Sequence, residues 1–140
     1  MSKELQGRVA LVTGASQGIG QGCSRAIAAA GAKMFIAQRN VENAEEEAKY
    51  LRSTFGAEVA VMKVDVTKRA EVDAMVKACV DKFGKLDILV NNAGASVAKR
   101  LENTTDEEMS YWFDLNYFSV FWAMRAAFPY MKAQKYGRII

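Results

Sequence analysis

Three glycines, Gly14, Gly18 and Gly20, stand directly after an apolar run and directly before a helical pattern. The segment Thr13-Gly14-Ala15-Ser16-Gln17-Gly18-Ile19-Gly20 is suited to holding an anion. Gly14 permits a tight turn, Gly18 lets backbone amides approach a pyrophosphate, and Gly20 lets the helix pack close to the sheet. The helix N-terminus then faces the anion with its partial positive charge. No Gly-Lys-Ser/Thr follows, so this is not a P-loop. Four further places carry polar groups at positions where a site could use them. Gln38 and Arg39 close a second apolar run, where a guanidinium can bind a phosphate through two hydrogen bonds, or can simply be a solvated surface arginine. Asp65 and Val66 close a third, with a carboxylate that could equally cap the next helix. Asn91-Asn92-Ala93-Gly94 closes a fourth, in residue types that favour turns. Asn116 is an amide in the midst of aromatic residues, a costly neighbour unless it has a hydrogen-bond partner or a task.

These residues need elements to position them. Short, almost continuously apolar runs recur at 8–13, 33–38, 58–64 and 86–91, and another starts at Arg138. Runs of this kind read as strands covered on both faces. Between them, residues 18–30 form a small-residue helix ending at Gly31, and residues 41–55 place Val41, Ala44, Ala48, Leu51 and Phe55 on one face. Residues 68–83 repeat the pattern, with Thr67 as the expected N-cap and Gly84 as the stop. Strand alternating with helix predicts an α/β fold, a Rossmann-type doubly wound parallel sheet, in a single domain over residues 1–140. The interval before the last run nearly doubles. It is filled by a polar loop, 95–103, and one long helix over 106–134, opened by Thr104 and Thr105 with Glu107 and Glu108 in capping-box spacing. Most aromatic residues of the chain fall between Tyr111 and Tyr130 and point all round that helix, as a wide core face or a subunit interface would require.

The composition excludes several other functions. The 140 residues are 51% hydrophobic and 25% charged, which rules out a disordered, collagenous or coiled-coil chain. There is no histidine, which removes Ser-His-Asp and Cys-His catalysis and the commonest transition-metal ligand. Cys23 and Cys79 are far apart, so no metal site is expected and both read as buried, reduced thiols. The net charge of +3 is scattered rather than gathered in a stripe, so neither nucleic acid nor an anionic membrane is an expected partner. The polar N-terminus lacks the apolar core of a signal peptide, and no segment reaches the roughly 20 apolar residues of a membrane span. A cytoplasmic protein is expected, with Asn103-Thr104-Thr105 a loop and helix cap rather than a glycosylation site.

The glycine spacing G-x-x-x-G-x-G behind Thr13 resembles the short-chain dehydrogenase/reductase family. Asn91-Asn92-Ala93-Gly94, Asp65-Val66 and Asn116-Tyr117-Phe118-Ser119 are similar to three more of its motifs, in the same order. The resemblance runs from about Gly7 to Ile140. It implies an NAD(P)-binding domain in which Gly14, Ser16, Gln17, Gly18, Ile19 and Gly20 hold the pyrophosphate and Asp65 and Val66 meet the adenine. Asn92, Ala93 and Gly94 would line the adenosine side, and Asn116 would be a catalytic residue that holds a water of the proton relay. At the end of the second strand an NAD-binding relative carries an acid for the ribose hydroxyls. Gln38 and Arg39 stand there instead, so the implied cofactor is NADP(H), held at its 2′-phosphate by Arg39, with NAD left open.

The implied activity is hydride transfer between the nicotinamide and a small carbonyl or alcohol substrate, in a homodimer or homotetramer built on the helix 106–134. Residues 95–100 would lead to the substrate pocket, where Ser96, Lys99 and Arg100 offer polar contacts. The family's catalytic serine and Tyr-x-x-x-Lys are not found: none of Tyr50, Tyr111, Tyr117, Tyr130 and Tyr136 has a lysine four positions on. The chain is therefore expected to be cut within its fifth strand, to fold poorly alone and to be inactive by itself. A cofactor-binding regulator or scaffold without turnover would look the same over these residues.

Overall fold

The computed structural model describes residues 3–140. Five parallel strands, β1 Val9–Thr13, β2 Lys33–Gln38, β3 Val59–Lys63, β4 Ile88–Val90 and β5 Arg138–Ile139, form one sheet in the order β3-β2-β1-β4-β5. Helices α1 Gly18–Ala29, α2 Val41–Phe55, α3 Arg69–Phe83, α4 Asp106–Phe113 and α5 Ser119–Gln134 lie between them. This is the doubly wound α/β sheet that the alternating pattern predicts. Val9 is paired with Lys33 and Thr13 with Ala37, while Ala10 is paired with Ile88 and Met34 with Val59. The strands therefore finish along a common edge.

The apolar runs are continuous because both faces of the sheet are covered. Successive side chains alternate: Leu11, Phe35 and Leu89 pack with α3 and α5, whereas Val12, Ile36 and Val90 pack with α1 and α2. Leu11, Ile36, Leu51, Met75 and Leu89 are fully buried, each worth about 1.5–3 kcal/mol relative to exposure. Helix ends follow the sequence signals in several places. Gly56 and Gly84 take left-handed conformations after α2 and α3, and the Asn40 side chain caps α2 by accepting from the Asn43 amide at 3.0 Å. Thr105 and Glu108 form a full capping box on α4. Thr104 does not share it and donates to the Arg100 carbonyl.

Two buried acids that no local pattern marks tie elements together. Glu47 accepts from Gln21 at 2.8 Å and from Nε and Nη2 of Arg25 at 2.9 Å each, joining α2 to α1. Asp87 accepts from the Val9 amide and Arg8, both at 2.9 Å, and pairs with Lys85.

Four expectations are corrected. Thr67 is not an N-cap: α3 begins after Lys68, and the Thr67 hydroxyl instead donates to Asp65 at 2.7 Å. The fourth strand is shorter than the run 86–91, and Cys79 is buried while Cys23 is only half-buried. The helix over 106–134 is not uniform but widens into a π-helical turn, Asp114–Phe118, between α4 and α5. There the Ser119 amide bonds back to the Asp114 carbonyl, five residues away. Side chains take up carbonyls that the regular ladder would use: the Asn116 amide donates to Trp112 at 3.0 Å and the Ser119 hydroxyl to Leu115 at 2.6 Å. Six of the aromatic residues, Tyr111, Phe113, Tyr117, Phe118, Phe121 and Phe128, are exposed, while Trp122 and Tyr130 pack on the core. Among the described residues no helix is long and apolar enough to cross a membrane.

Candidate functional site: a cleft at the strand ends

A cleft of about 420 Å³ opens where the strand order reverses, at the carboxyl ends of β1 and its neighbours β2 and β4. Open parallel sheets bind ligands at this topological switch point. Four turns form its walls. The turn after β1 supplies Gly14, Ser16, Gln17, Gly18 and Ile19, and the turn after β2 supplies Gln38, Arg39, Asn40 and Asn43. The turn after β3 adds Val64, Asp65 and Val66, and the segment after β4 adds Asn92, Ala93, Gly94 and Ala95. Of the residues singled out in the sequence, Gly20, Asn91 and Asn116 lie outside the lining, as do Ser96, Lys99 and Arg100 of the following loop.

The first turn holds the Gly14 and Ser16 amides within the protein and leaves the start of α1 uncapped. Gly14 and Gly18 have φ of 66° and 53°, which other residues rarely adopt. Gln17 precedes α1 without a side-chain cap, and no acid stands in the helix's first turn. The N-terminal amides and the positive end of the helix are thus available to an anion, whereas those of α2 and α4 are capped. Gly20 serves a different contact from the one expected. A Cβ there would collide with the Gly14 carbonyl and the Asn92 amide, so it makes room for the neighbouring loops rather than for the sheet.

Asn92 fastens the segment after β4 to the turn after β1. Its Nδ2 donates to the carbonyls of Thr13 at 3.0 Å and Gly14 at 2.9 Å. Thr13 Oγ1 accepts from the amides of Asn92 and Ala93, both at 3.0 Å. Thr13 was noted in the sequence only as the residue ahead of the glycines; its role as a hub depends on a partner distant in the chain. Gly94 is also explained from within the protein, since a Cβ would sit 2.7 Å from Asn116 Oδ1. Asn116 itself is exposed rather than buried. It holds Ala95 by accepting from its amide at 3.2 Å and donating to its carbonyl at 2.9 Å.

Asp65 lines the cleft and also closes a local turn. Its carboxylate accepts from the Thr67 amide at 3.0 Å and hydroxyl at 2.7 Å. Partial burial raises its pKa, but those bonds, together with Lys68 and Arg39, outweigh burial and hold it below the ordinary aspartate value. Arg39 is exposed at the cleft mouth and reaches the Tyr111 hydroxyl at 3.5 Å. The polar pair beyond Gly94 is already matched by acids: Lys99 lies 2.7 Å from Glu108 and Arg100 3.8 Å from Glu102. Among the described residues no group of three or more metal-binding side chains gathers.

A parallel sheet of order 3-2-1-4-5 with a glycine-walled, donor-rich cleft at its switch point defines a dinucleotide-binding protein of the Rossmann type. The family model described as short chain dehydrogenase matches residues 8–140, and the chain belongs to that family of oxidoreductases. It is 38% identical over 133 residues to galactitol 2-dehydrogenase of Agrobacterium fabrum, covering 95% of this chain and 50% of that protein. An uncharacterised oxidoreductase of Staphylococcus saprophyticus is 35% identical over 133 residues, covering 95% of this chain and 53% of that one. Among solved structures, L-sorbose reductase of Gluconobacter frateurii, complexed with NADPH and L-sorbose, superposes with a TM-score of 0.94 at 34% identity, covering 99% of this chain and 53% of that one. An alcohol dehydrogenase of the archaeon Thermococcus sibiricus, complexed with 5-hydroxy-NADP, gives 0.89 at 32% identity, covering 94% and 57%. The chain spans about half the length of the curated relatives it matches.

Proposed function

We propose that this chain forms the cofactor-binding half of an NADP(H)-dependent oxidoreductase that moves a hydride between the nicotinamide and a carbonyl or alcohol carbon. The observation that carries the choice of cofactor is Arg39 at the end of β2, where no carboxylate stands to accept from ribose hydroxyls. Relatives solved with NADPH and 5-hydroxy-NADP support it. The donor set fits the group. Gln17, Gly18 and Ile19 offer backbone amides and the α1 terminus to the pyrophosphate; Gly14 and Ser16 shape the turn that holds it, their own amides donating to the Ala37 carbonyl and to Gln38 Oε1, and Gly20 keeps the turn in shape behind them. Arg39 pairs with the 2′-phosphate, Asp65 and Val66 flank the adenine, and Asn92, Ala93 and Gly94 form the adenosine side. When bound, the cofactor supplies or accepts the hydride.

Asn116 fixes Ala95 on the way from the cofactor cleft to the substrate loop and, as a member of the catalytic set, serves the proton relay. With no tyrosine followed by lysine at the required spacing, these 140 residues are proposed to bind cofactor without turning over substrate. A small carbonyl or alcohol is the proposed substrate. The exposed rings on α4, the π turn and α5 support self-association of the full-length protein into a dimer or tetramer through this surface. A cytoplasmic setting accompanies the proposal, with both cysteines free. Arg39→Asp tests the cofactor assignment. The ratio of affinities for NADPH and NADH should fall by about tenfold or more, the weight of one charge-assisted pair. An unchanged ratio refutes it.

A further inference from the structure

Gln38, the last residue of β2, lies in the cleft wall, yet its amide is used inside the protein. Its Nε2 lies 2.8 Å from the Asn40 carbonyl oxygen and 2.7 Å from Ser16 Oγ, and its Oε1 lies 3.2 Å from the Ser16 backbone nitrogen. The amide can face only one way. The Asn40 carbonyl only accepts and the Ser16 N–H only donates, so nitrogen must meet the former and oxygen the latter. Both hydrogens of Nε2 are then committed, one to Asn40 and one to the Ser16 hydroxyl oxygen. Ser16 Oγ accordingly accepts, and its own proton must point away from Gln38. Among the described residues no acceptor takes that proton, and Ser16 lines the cleft.

We propose that Gln38 is a positioning residue: it turns the Ser16 hydroxyl into a donor facing the cleft and withholds its own carbonyl oxygen. The wall between the turns after β1 and β2 then selects a 2′-phosphate over a free ribose diol, which rests on the nucleotide-binding role proposed above. The two groups need opposite partners. A diol must find an acceptor for its protons, whereas a phosphate only accepts. Arg39 adds donors and no acceptor. Selectivity therefore comes from the pairing of Gln38 with Ser16 as well as from the arginine. A glutamate at position 38 would invert the wall, because a carboxylate has no hydrogen to give Asn40 or Ser16, accepts the Ser16 proton itself, and repels phosphate. Methionine keeps the length while removing the brace without adding charge.

The test uses the full-length protein and two nicotinamide-free probes, 2′,5′-ADP and 5′-AMP, with binding measured by calorimetry. Gln38→Met should lower the preference for 2′,5′-ADP by about tenfold, the weight of one hydrogen bond to a charged group, and Gln38→Glu by more. The double variant Ser16→Ala with Gln38→Met should be no worse than either single one, since both act through one hydroxyl. A Gln38→Met protein with the preference intact, or with both probes weakened equally, overturns the proposal. If that variant does not fold, Ser16→Ala decides alone, and an unchanged ratio there overturns it equally. A native protein without preference for 2′,5′-ADP would instead overturn the NADP(H) assignment.

Discussion

Replacing Gly20 by alanine and, separately, replacing Gly22 by alanine makes the same chemical change twice in one helix with opposite expected signs. At Gly22 nothing lies within 4 Å of an added Cβ, and the residue is exposed within α1. Alanine there gains about 0.5–1 kcal/mol of helix propensity. At Gly20 the same Cβ would overlap the Gly14 carbonyl oxygen and Asn92 Nδ2. Neither is a flexible side-chain end: Gly14 is held by its left-handed turn, and Asn92 by its bonds to the Thr13 and Gly14 carbonyls. Displacing Asn92 forfeits two hydrogen bonds, each about 0.5–1.5 kcal/mol. The overlap itself costs about 1–3 kcal/mol. After the gain in propensity, Gly20→Ala should destabilise by about 3 kcal/mol, and its nucleotide affinity should fall because the turn after β1 moves. Urea unfolding of the two variants beside the native protein measures the difference, and nucleotide titration measures the site. Gly20→Ala within about 1 kcal/mol of native stability, or Gly22→Ala as damaging as Gly20→Ala, would refute this account of why glycine stands there.

Other outcomes follow from the packing and titration of particular groups. Glu47→Ala should cost about 2 kcal/mol in chemical denaturation, since it removes three hydrogen bonds between α1 and α2 while the Arg25 it leaves can rehydrate; a loss near zero would mean the pin is ornamental. The Lys99 ammonium, followed by the Thr105 amide, holds the Glu108 carboxyl below the ordinary glutamate value. Its folded pKa is depressed, so its contribution is in place above about pH 4.3 and is lost as pH falls through the lower folded value. Native protein and Glu108→Gln should therefore converge in stability on acidification, and a gap independent of pH would refute the pairing. Burial pushes the Cys79 thiol up to about 12. In native protein iodoacetamide should leave Cys79 unmodified until unfolding, as peptide mapping by mass spectrometry can establish, and rapid labelling of the folded form would contradict its burial.

The strands and the cleft were legible in the sequence because their signals are local. A run such as Val9 to Val12 is apolar throughout, and only a strand buried on both faces asks for that. The glycine turn could likewise be read from spacing, because left-handed φ and an uncapped helix start are properties of adjacent residues. What could not be read depends on partners far along the chain. Gln38 appeared only as the absence of an acid, since its task needs Ser16, 22 residues earlier. Gly94 read as part of a turn lining the adenosine side, whereas it is Asn116, beside it in the fold, that requires the absence of a side chain. The Thr67 cap failed for a related reason: the Asp65 carboxylate, two residues earlier, accepts from the Thr67 amide and hydroxyl and turns that side chain to itself, away from the N–H groups of the helix. The long helix looked uniform because aromatic spacing is insensitive to one extra residue per turn, while the competition of Asn116 and Ser119 for carbonyls is decided in three dimensions.

The fastening of Asn92 to Thr13 also constrains the order in which the protein can come into being. The partners are 79 residues apart, so a chain emerging from the ribosome carries the anion-holding turn long before the segment that closes the cleft exists. Contacts of such separation are slow to form and mature only after the intervening strands are in place. A nucleotide therefore meets a complete binding wall only on a chain that has already threaded β4 beside β1, and nucleotide affinity becomes a gauge of how far synthesis and folding have advanced.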